Sequence, residues 1–201
     1  MFSKKIYDRS KPFLFLLILL PSVIWIYQFV TGNLGVNPIE RIMDEFGLMA
    51  LRLIILTLML SSIAHIKAFK SITTLRRMIG LFAFYYVSLH FSTYIFLDHF
   101  LDIQFIIKDI IKRPFITLGF ISFLFLVPLA ATSTNSMIKK LGFNLWKKLH
   151  YLIYPAAILS SMHFYMLVRA NKSEPAIYMG IIILLLLHRV FKRITPRQLA
   201  R

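Results

Sequence analysis

Six long apolar stretches dominate this chain, and they constrain its fold more than any other feature. They cover residues 12–30, 46–66, 78–97, 115–131, 149–168 and 176–191. A helix needs about 20 mainly apolar residues to cross the hydrocarbon core of a bilayer, and each stretch approaches this length. The hydrophobic fraction of 58% also exceeds that of most soluble domains. The sequence therefore predicts an all-α integral membrane bundle of six transmembrane helices.

The distribution of charge predicts the orientation of these helices. Lysines and arginines cluster in the segments that would face one side of the membrane, and cytoplasmic loops usually carry this basic excess. We therefore expect both termini in the cytoplasm, with tails at 1–11 and 192–201 and a transmembrane domain at 12–191. The formal net charge of +16 is then mainly a signal of topology, and no nucleic-acid partner is expected. Seven of the eight acids fall on the opposite side: Glu40, Asp44, Glu45, Asp98, Asp102, Asp109 and Glu174.

The absence of cysteine limits the kinds of metal site that this chain can build. It excludes disulfides, thiolate-bound iron–sulfur clusters, Cys-based zinc sites and the C-x-x-C-H attachment of c-type haem. Histidine, methionine or carboxylate side chains would have to bind any metal. The loops are too short for a soluble catalytic domain, and the sequence has no P-loop or Gly-rich dinucleotide motif. Residues 98–114 have apolar side chains at helical spacing and are predicted to lie along the outer surface.

Two histidines fall deep inside predicted membrane helices. His90 follows Arg77 by 13 residues and His163 follows Lys148 by 15, so each lies about 20 Å from the cytoplasmic boundary. The two helices run in the same direction, which places both side chains at similar depth in the periplasmic half. Ionisable groups inside a membrane usually mark function, and neutral imidazole is the usual ligand of b-type haem. We predict that His90 and His163 bind one haem iron; the alternative is two unrelated polar residues that bond to neighbouring helices.

The other histidines lie nearer to the membrane surfaces. His150 is at the cytoplasmic rim, about 20 Å from His163, so these two residues cannot bind the same haem. It is either a ligand of an inner haem or a boundary residue. His65 and His188 lie at the same side of the membrane. Three roles are open for each of them: a second ligand opposite His150, part of a quinone pocket, or a residue that faces lipid headgroups. His99, in a periplasmic loop, is expected to be solvated.

Arginines are candidate partners for haem propionates, because a guanidinium can bind a carboxylate through two parallel hydrogen bonds. Arg52 lies inside the second apolar stretch, near the depth expected for His90 and His163. The alternative is that its side chain extends to the outer interface. The basic excess of the cytoplasmic segments explains the positions of Arg76 and Arg77. Either residue could also contact a propionate of an inner haem.

Three segments carry a resemblance to a known family. They are 74-TLRRMIGLFAFYYVSLHFSTYIFLD-98, 128-PLAATSTNSMIKKLG-142 and 145-LWKKLHYLIY-154. They resemble the MsrQ (YedZ) family, the haem-binding membrane subunits of the bacterial periplasmic methionine sulfoxide reductase system, within the ferric-reductase-like transmembrane superfamily. The resemblance extends over about residues 47–190 and implies that His90, His150 and His163 bind haem.

The resemblance also implies a function. The chain would be a multi-pass b-type cytochrome of the bacterial inner membrane with one haem b, or two. It would pass electrons from the quinol pool or a flavin reductase to a periplasmic molybdopterin methionine sulfoxide reductase, which repairs oxidised proteins. FMN is a further cofactor that the family implies. Ferric reductases have two histidines on each of two helices. The third helix of this chain offers only His90. An inner haem would therefore have His150 as one ligand and no identified second ligand.

Two other functions are compatible with the sequence. The first is a small ferric or cupric reductase of the same fold, which would pass electrons directly to a metal ion outside. The second is a membrane transporter in which His90, His163 and Arg52 line a proton or substrate path. A transporter predicts no haem, and it usually shows repeat symmetry and broken helices. We find no internal repeat in the sequence.

Overall fold

The computed structural model describes residues 4–63 and 73–198, with side chains from 9–63 and 75–191. These residues form helices and short turns, with no strand among them, so the all-α prediction is confirmed for this part of the chain. A π-helical turn covers Tyr94–Asp98 and a 3-10 turn covers His150–Leu152. The α-helices are α1 (Lys4–Val30), α2 (Pro38–Ile63), α3 (Thr73–Thr93), α4 (Ile103–Lys112), α5 (Pro114–Ala131), α6 (Asn135–Leu141), α7 (Phe143–Leu149), α8 (Ile153–Leu167) and α9 (Ser173–Gln198).

Five helices in the described ranges are long and apolar enough to cross a membrane. These spans are Arg9–Val30, Pro38–Ile63, Leu75–Asp98, Pro114–Ala131 and Ser173–Phe191. The predicted stretch 149–168 is divided instead, because the 3-10 turn precedes α8, which has 15 residues. At a rise of 1.5 Å per residue, α8 is about 22 Å long, shorter than a hydrocarbon core of ~30 Å. Length and composition therefore support five spans directly.

Helix α2 forms the centre of the bundle. It packs closely against α3 and also contacts α1, α8 and α9. Its buried side chains Phe46, Ile54 and Leu58 belong to one apolar cluster with Tyr86 of α3 and Ile182 of α9. Half of the α2 span is buried, compared with 6% of the α1 span. Helix α2 is therefore the most enclosed of the five spans.

The periphery of the bundle is apolar as well. Phe13, Leu16 and Val30 of α1 are exposed, as are Leu184 and Phe191 of α9. Water would not favour so large an apolar surface, whereas lipid chains are suitable neighbours for it. The surface therefore agrees with the hydropathy of the sequence and indicates a multi-pass membrane protein.

Helices α5 and α8 form a second closely packed pair. Ser122 Oγ of α5 donates a hydrogen bond to the carbonyl oxygen of Ala156 in α8, at 2.9 Å. Ala156 and Ala157 are fully buried. Such small residues allow two helix backbones to approach one another within a membrane. This pair and the pair of α2 with α3 form the walls of the site described below.

Helix α4 lies within the segment 98–114, where the spacing of apolar residues predicts a helix, and that prediction is confirmed. Asp102 caps its N-terminus by accepting a hydrogen bond from the backbone N–H of Phe105 at 3.0 Å. Buried Asp109 accepts a hydrogen bond from Tyr94 Oη at 3.1 Å and pairs with Arg113 Nε at 2.8 Å. These bonds connect the end of α3 to the start of α5.

The prediction that His99 is solvated is wrong. Its side chain is 13% exposed, and its Nε2 lies 3.6 Å from a carboxylate oxygen of Asp109. The ring also contacts Tyr94, with centroids 4.4 Å apart. The backbone reverses at Phe100 and Leu101, which both have positive φ angles, and this turn brings α4 back against the imidazole. Sequence position alone did not indicate this reversal.

Candidate functional site

A cavity of about 600 Å³ is lined by residues of α2, α3, α5 and α8, including His90 and His163. Following the predicted orientation, we refer to it as the outer cavity. The two imidazole rings lie with their centroids 6.2 Å apart and their planes at 79°. The structure thus brings together the two histidines that were expected to share one depth in the membrane.

Each imidazole is held by a backbone carbonyl group of the neighbouring helix. His90 Nδ1 lies 2.8 Å from the carbonyl oxygen of Met43 in α2, and His163 Nδ1 lies 2.6 Å from that of Phe115 in α5. A carbonyl oxygen only accepts hydrogen bonds, so the Nδ1–H donates in both rings. In this neutral tautomer Nε2 keeps its lone pair and is available to a metal.

Two glycines lie directly against the same rings. A Cβ atom built at Gly47 would stand 2.9 Å from His90 Nδ1, and one built at Gly119 would stand 2.9 Å from His163 Nδ1. Both distances are too short for a carbon atom, so only glycine fits while the rings keep their positions. Sequence reasoning missed both residues. The available signal was a glycine in the interior of an apolar helix, which helix propensity disfavours.

The paired histidines fit a haem iron. Two imidazoles that each bind one metal at about 2 Å place their ring centroids about 6 Å apart, and the observed distance is 6.2 Å. Phe91, Phe120 and Phe123 line the same cavity, and such apolar surroundings suit a porphyrin. Two histidines complete the axial ligands of haem but are too few for a zinc site. The described residues contain no group of three or more His, Cys, Asp or Glu that could hold a metal ion.

Arg52, the predicted partner of a haem propionate, does not line the outer cavity. Its Nε donates a hydrogen bond to Tyr178 Oη at 2.7 Å, and its Nη2 lies 3.9 Å from Glu174. Its guanidinium therefore points toward α9, and a propionate contact stays a prediction. Arg41 and Arg113 do line the cavity, and each forms an ion pair with a carboxylate four residues away.

A second cavity, of about 710 Å³, lies beside the C-terminal half of α2 and the N-terminal half of α3. We refer to it as the inner cavity. His150 lines it and donates its Nδ1–H to the carbonyl oxygen of Trp146 at 3.0 Å, which again leaves Nε2 free. The indole of Trp146 packs on the same imidazole, with centroids 4.0 Å apart. Of the two predicted partners of His150, His188 lines this cavity and His65 lies outside the described residues.

The inner cavity is strongly basic. Arg76, Arg77, Lys147 and Arg189 all line it, together with several serine and threonine hydroxyl groups. Arg77 Nη1 donates a hydrogen bond to Asn135 Oδ1 at 2.6 Å, whereas Arg189 is bonded to α2 and α8. Guanidinium groups bind phosphate and carboxylate well. The inner cavity therefore suits an anionic ligand.

The two cavities adjoin one another within the bundle. Ile54 of α2 and Leu126 of α5 line both of them. Both side chains are almost completely buried. A single layer of apolar side chains therefore separates the outer cavity from the inner one.

Comparison with known proteins gives the family of this chain. The family described as "Ferric reductase like transmembrane component" matches residues 46–161. The protein-methionine-sulfoxide reductase heme-binding subunit MsrQ of Herminiimonas arsenicoxydans is 42% identical over 184 residues, which are 90% of this chain and 84% of that protein. The chain belongs to the MsrQ family of ferric-reductase-like membrane proteins.

Further members of the MsrQ family show the same degree of similarity. The MsrQ subunit of Brucella anthropi is 45% identical over 172 residues, covering 86% of this chain and 77% of that protein. The MsrQ subunit of Rhodospirillum rubrum is 42% identical over 187 residues, covering 93% of this chain and 90% of that protein. The resemblance noted in three segments of the sequence is therefore confirmed over most of the chain.

Proposed function

We propose that this chain is the haem-binding membrane subunit of a protein-methionine-sulfoxide reductase system. It carries electrons across the bacterial inner membrane, from the quinol pool or a flavin reductase. The acceptor is a periplasmic molybdopterin reductase that repairs oxidised methionine in proteins. Membership of the MsrQ family supports the assignment of this chain to a protein-methionine-sulfoxide reductase system. The observation that carries the electron-transfer role is the pair His90 and His163, whose rings lie 6.2 Å apart at the outer cavity.

In this proposal His90 and His163 hold the iron of a haem b in the outer cavity. Haem supplies one-electron chemistry when it is bound there. Each ring donates its Nδ1–H to a carbonyl group, which fixes the orientation of the ring and raises the basicity of Nε2. Phe91, Phe120 and Phe123 form part of the lining, and apolar surroundings of this kind would affect the potential of the haem. With His90 and His163 both engaged in holding the haem, the site would favour electron transfer over binding of a substrate at the iron.

The lining of the inner cavity favours the binding of a second cofactor on the proposed cytoplasmic side. His150 has a free Nε2, and Arg76 and Arg77 supply positive charge. A second haem b would bind to His150, with His188 as the candidate partner among the described residues; FMN is the other candidate occupant. Because one apolar layer lies between the two cavities, cofactors in them would be close enough for electrons to pass.

Six transmembrane helices complete the proposed arrangement. The tails at 1–11 and 192–201 lie in the cytoplasm, and the domain at 12–191 lies in the membrane. Helix α8 provides the sixth crossing, lengthened at its N-terminal end by the 3-10 turn that precedes it. The basic lining of the inner cavity agrees with a position at the cytoplasmic side.

A small ferric or cupric reductase is the second candidate function, and the family description that matches residues 46–161 favours it. It would use the same outer haem and differ only in the acceptor. Dithionite-reduced protein, freed of excess reductant, can be mixed with a ferric chelate or with a purified periplasmic methionine sulfoxide reductase. We expect rapid reoxidation by the reductase and slow reoxidation by the chelate.

The proposed function is tested by an optical spectrum of the detergent-solubilised protein, first oxidised and then reduced with dithionite, together with a haem assay. We expect a low-spin b-type spectrum from the wild type and loss of the outer haem in His90→Ala and His163→Ala. His99→Ala is the matched control, because His99 lines neither cavity, and it should keep the wild-type haem content. A wild-type protein that takes up no haem would overturn the proposal.

A further inference from the structure

We propose that Gly47 and Gly119 are positioning residues for the two axial histidines, and that the chain builds this support twice in the same way. The inference rests on the proposed ligation of haem by His90 and His163. It concerns how the chain holds the two rings in place.

The two supports have the same construction. In one, α2 supplies the carbonyl group of Met43 and a glycine four residues later, and α3 supplies His90. In the other, α5 supplies the carbonyl group of Phe115 and a glycine four residues later, and α8 supplies His163. The two hydrogen bonds join residues that are 47 and 48 positions apart. The helix pairs α2–α3 and α5–α8 therefore repeat one arrangement that is not visible as a repeat in the sequence.

The contact between ring and glycine is also the same in both supports. A Cβ atom at Gly47 would stand 2.9 Å from Nδ1 and 3.1 Å from Cε1 of His90, and the same two distances apply at Gly119 to His163. In both cases the edge of the imidazole that carries the hydrogen bond lies on the helix backbone. The missing side chain is what allows the ring to reach the carbonyl group one turn earlier.

A methyl group at either position would push on a ring that has little freedom to move. The Nδ1–H bond holds one side of the imidazole, and the iron would hold Nε2 on the other. A shift of the ring would therefore lengthen one of these two bonds or tilt the ring against the iron. Loss of the groups that orient a metal-bound histidine typically lowers metal affinity about 10-fold to 100-fold.

The other glycines of the chain do not make such a contact. A Cβ atom at Gly80 in α3 would meet only Thr57, at 3.8 Å or more, and one at Gly180 in α9 would meet nothing within 4 Å. The remaining glycines lie between helices with positive φ angles and are Gly32, Gly35 and Gly142. Two of the seven glycines thus touch an imidazole ring, and the rings are those of the two proposed axial ligands.

The test compares Gly47→Ala and Gly119→Ala with the control variant Gly180→Ala, all in the full-length solubilised protein. Gly180 lines neither cavity. Haem dissociation to apomyoglobin, the midpoint potential and the EPR spectrum of the oxidised haem are measured. We expect Gly47→Ala and Gly119→Ala to lose haem about 10-fold faster or more, with an altered low-spin signal and a shifted potential. The control Gly180→Ala should match the wild type. The proposal would be overturned if Gly47→Ala and Gly119→Ala had the same signal, potential and dissociation rate as the wild type.

A second set of variants separates the ring contact from helix packing. If Gly119→Ala does not accumulate in membranes, it is combined with His163→Gly, which removes the ring, and compared with His163→Gly alone. We expect equal accumulation of these two proteins, and the same for Gly47→Ala combined with His90→Gly. Lower accumulation of the double variants would mean that the glycines serve helix packing, and the inference would be wrong.

The outcome also distinguishes this inference from the proposed function. A wild type without haem, or His90→Ala with a normal haem content, would defeat the proposed ligation itself. A wild type that binds haem through both histidines, with Gly47→Ala and Gly119→Ala variants that behave like Gly180→Ala, would defeat only the positioning role.

Discussion

The outer and inner cavities are similar in size but opposite in chemistry. The outer cavity, at about 600 Å³, brings two histidines from different helices to within 6.2 Å, and its two lining arginines are both paired with acids. The inner cavity, at about 710 Å³, has His150 with a free Nε2 and four basic side chains along its wall. The first suits a cofactor held permanently by its metal, and the second suits an anion held by charge.

This contrast has a structural cause. The rings of His90 and His163 are held by carbonyl groups of neighbouring helices, so their positions depend on two interfaces between helices. His150 is held by a carbonyl group one turn earlier in its own chain segment. The positions of His90 and His163 therefore depend on the packing of the bundle, whereas the position of His150 is set locally.

The largest effect should come from removing a histidine of one cavity at a time. His163→Ala is expected to abolish the outer haem, because His90 alone would hold the iron too weakly. His150→Ala should keep that haem and its dithionite-reduced spectrum but slow its reduction by a donor on the cytoplasmic side. Optical spectra of both variants, in solubilised protein and in inverted membrane vesicles, measure the two effects. Loss of the outer haem in His150→Ala would show that the cavities are not independent.

The next effect should be a loss of anion binding in the inner cavity. Arg76→Gln combined with Arg77→Gln is expected to weaken FMN binding by about 10-fold or more, because hydrogen bonds from charged groups contribute roughly 1.5–3 kcal/mol each. Lys139→Gln is the control, since Lys139 is exposed and does not line the cavity. Flavin fluorescence titration measures the affinity. An equal loss in the control would indicate general attraction to a basic surface.

A smaller effect is expected at Arg189, which ties three helices together beside the inner cavity. Its Nη1 donates to Tyr154 Oη at 2.8 Å and its Nη2 to the carbonyl oxygen of Leu58 at 2.9 Å. Arg189→Met would leave these acceptors without that donor, and the free energy of unfolding should fall by about 1–3 kcal/mol. Thermal denaturation in detergent measures the change, with the exposed Arg169→Met as control. The EPR signal of the outer haem should not change.

The smallest effect is expected at Arg52. Arg52→Gln and Tyr178→Phe should shift the potential of the outer haem by similar, small amounts, because the guanidinium is half exposed and its hydrogen bond is to α9. Exposed charges interact by about 1 kcal/mol or less. Redox titration of both variants measures the shifts. A much larger shift in Arg52→Gln than in Tyr178→Phe would support the predicted contact with a propionate.

Depth along a helix could be predicted well from the sequence, whereas direction around the helix axis could not. The rise per residue placed His90 and His163 at one level, and the structure brings their rings together. The same reasoning put Arg52 at a similar level, but its side chain points toward Tyr178. The direction in which a side chain points around the helix axis decides which groups it contacts. Those contacts are known only when the neighbouring helices have been placed.

Local backbone geometry also could not be predicted from the sequence. Hydropathy predicted a continuous helix over 149–168, but the structure has a 3-10 turn at His150–Leu152 before α8. Hydropathy reports the surroundings of a segment and is insensitive to its hydrogen-bond pattern. His99 is enclosed for a related reason, because a reversal of the backbone at Phe100 and Leu101 packs α4 against it.

By itself, the sequence determined that this chain is a helical membrane protein of the MsrQ family with two histidines at one depth. Apolar length, charge distribution and helical rise are properties of single segments, and so they can be read along the chain. Only the tertiary structure decided how those histidines are held, through carbonyl groups 47 and 48 residues away and through Gly47 and Gly119. These are contacts between helices, and their geometry exists only after the helices have packed.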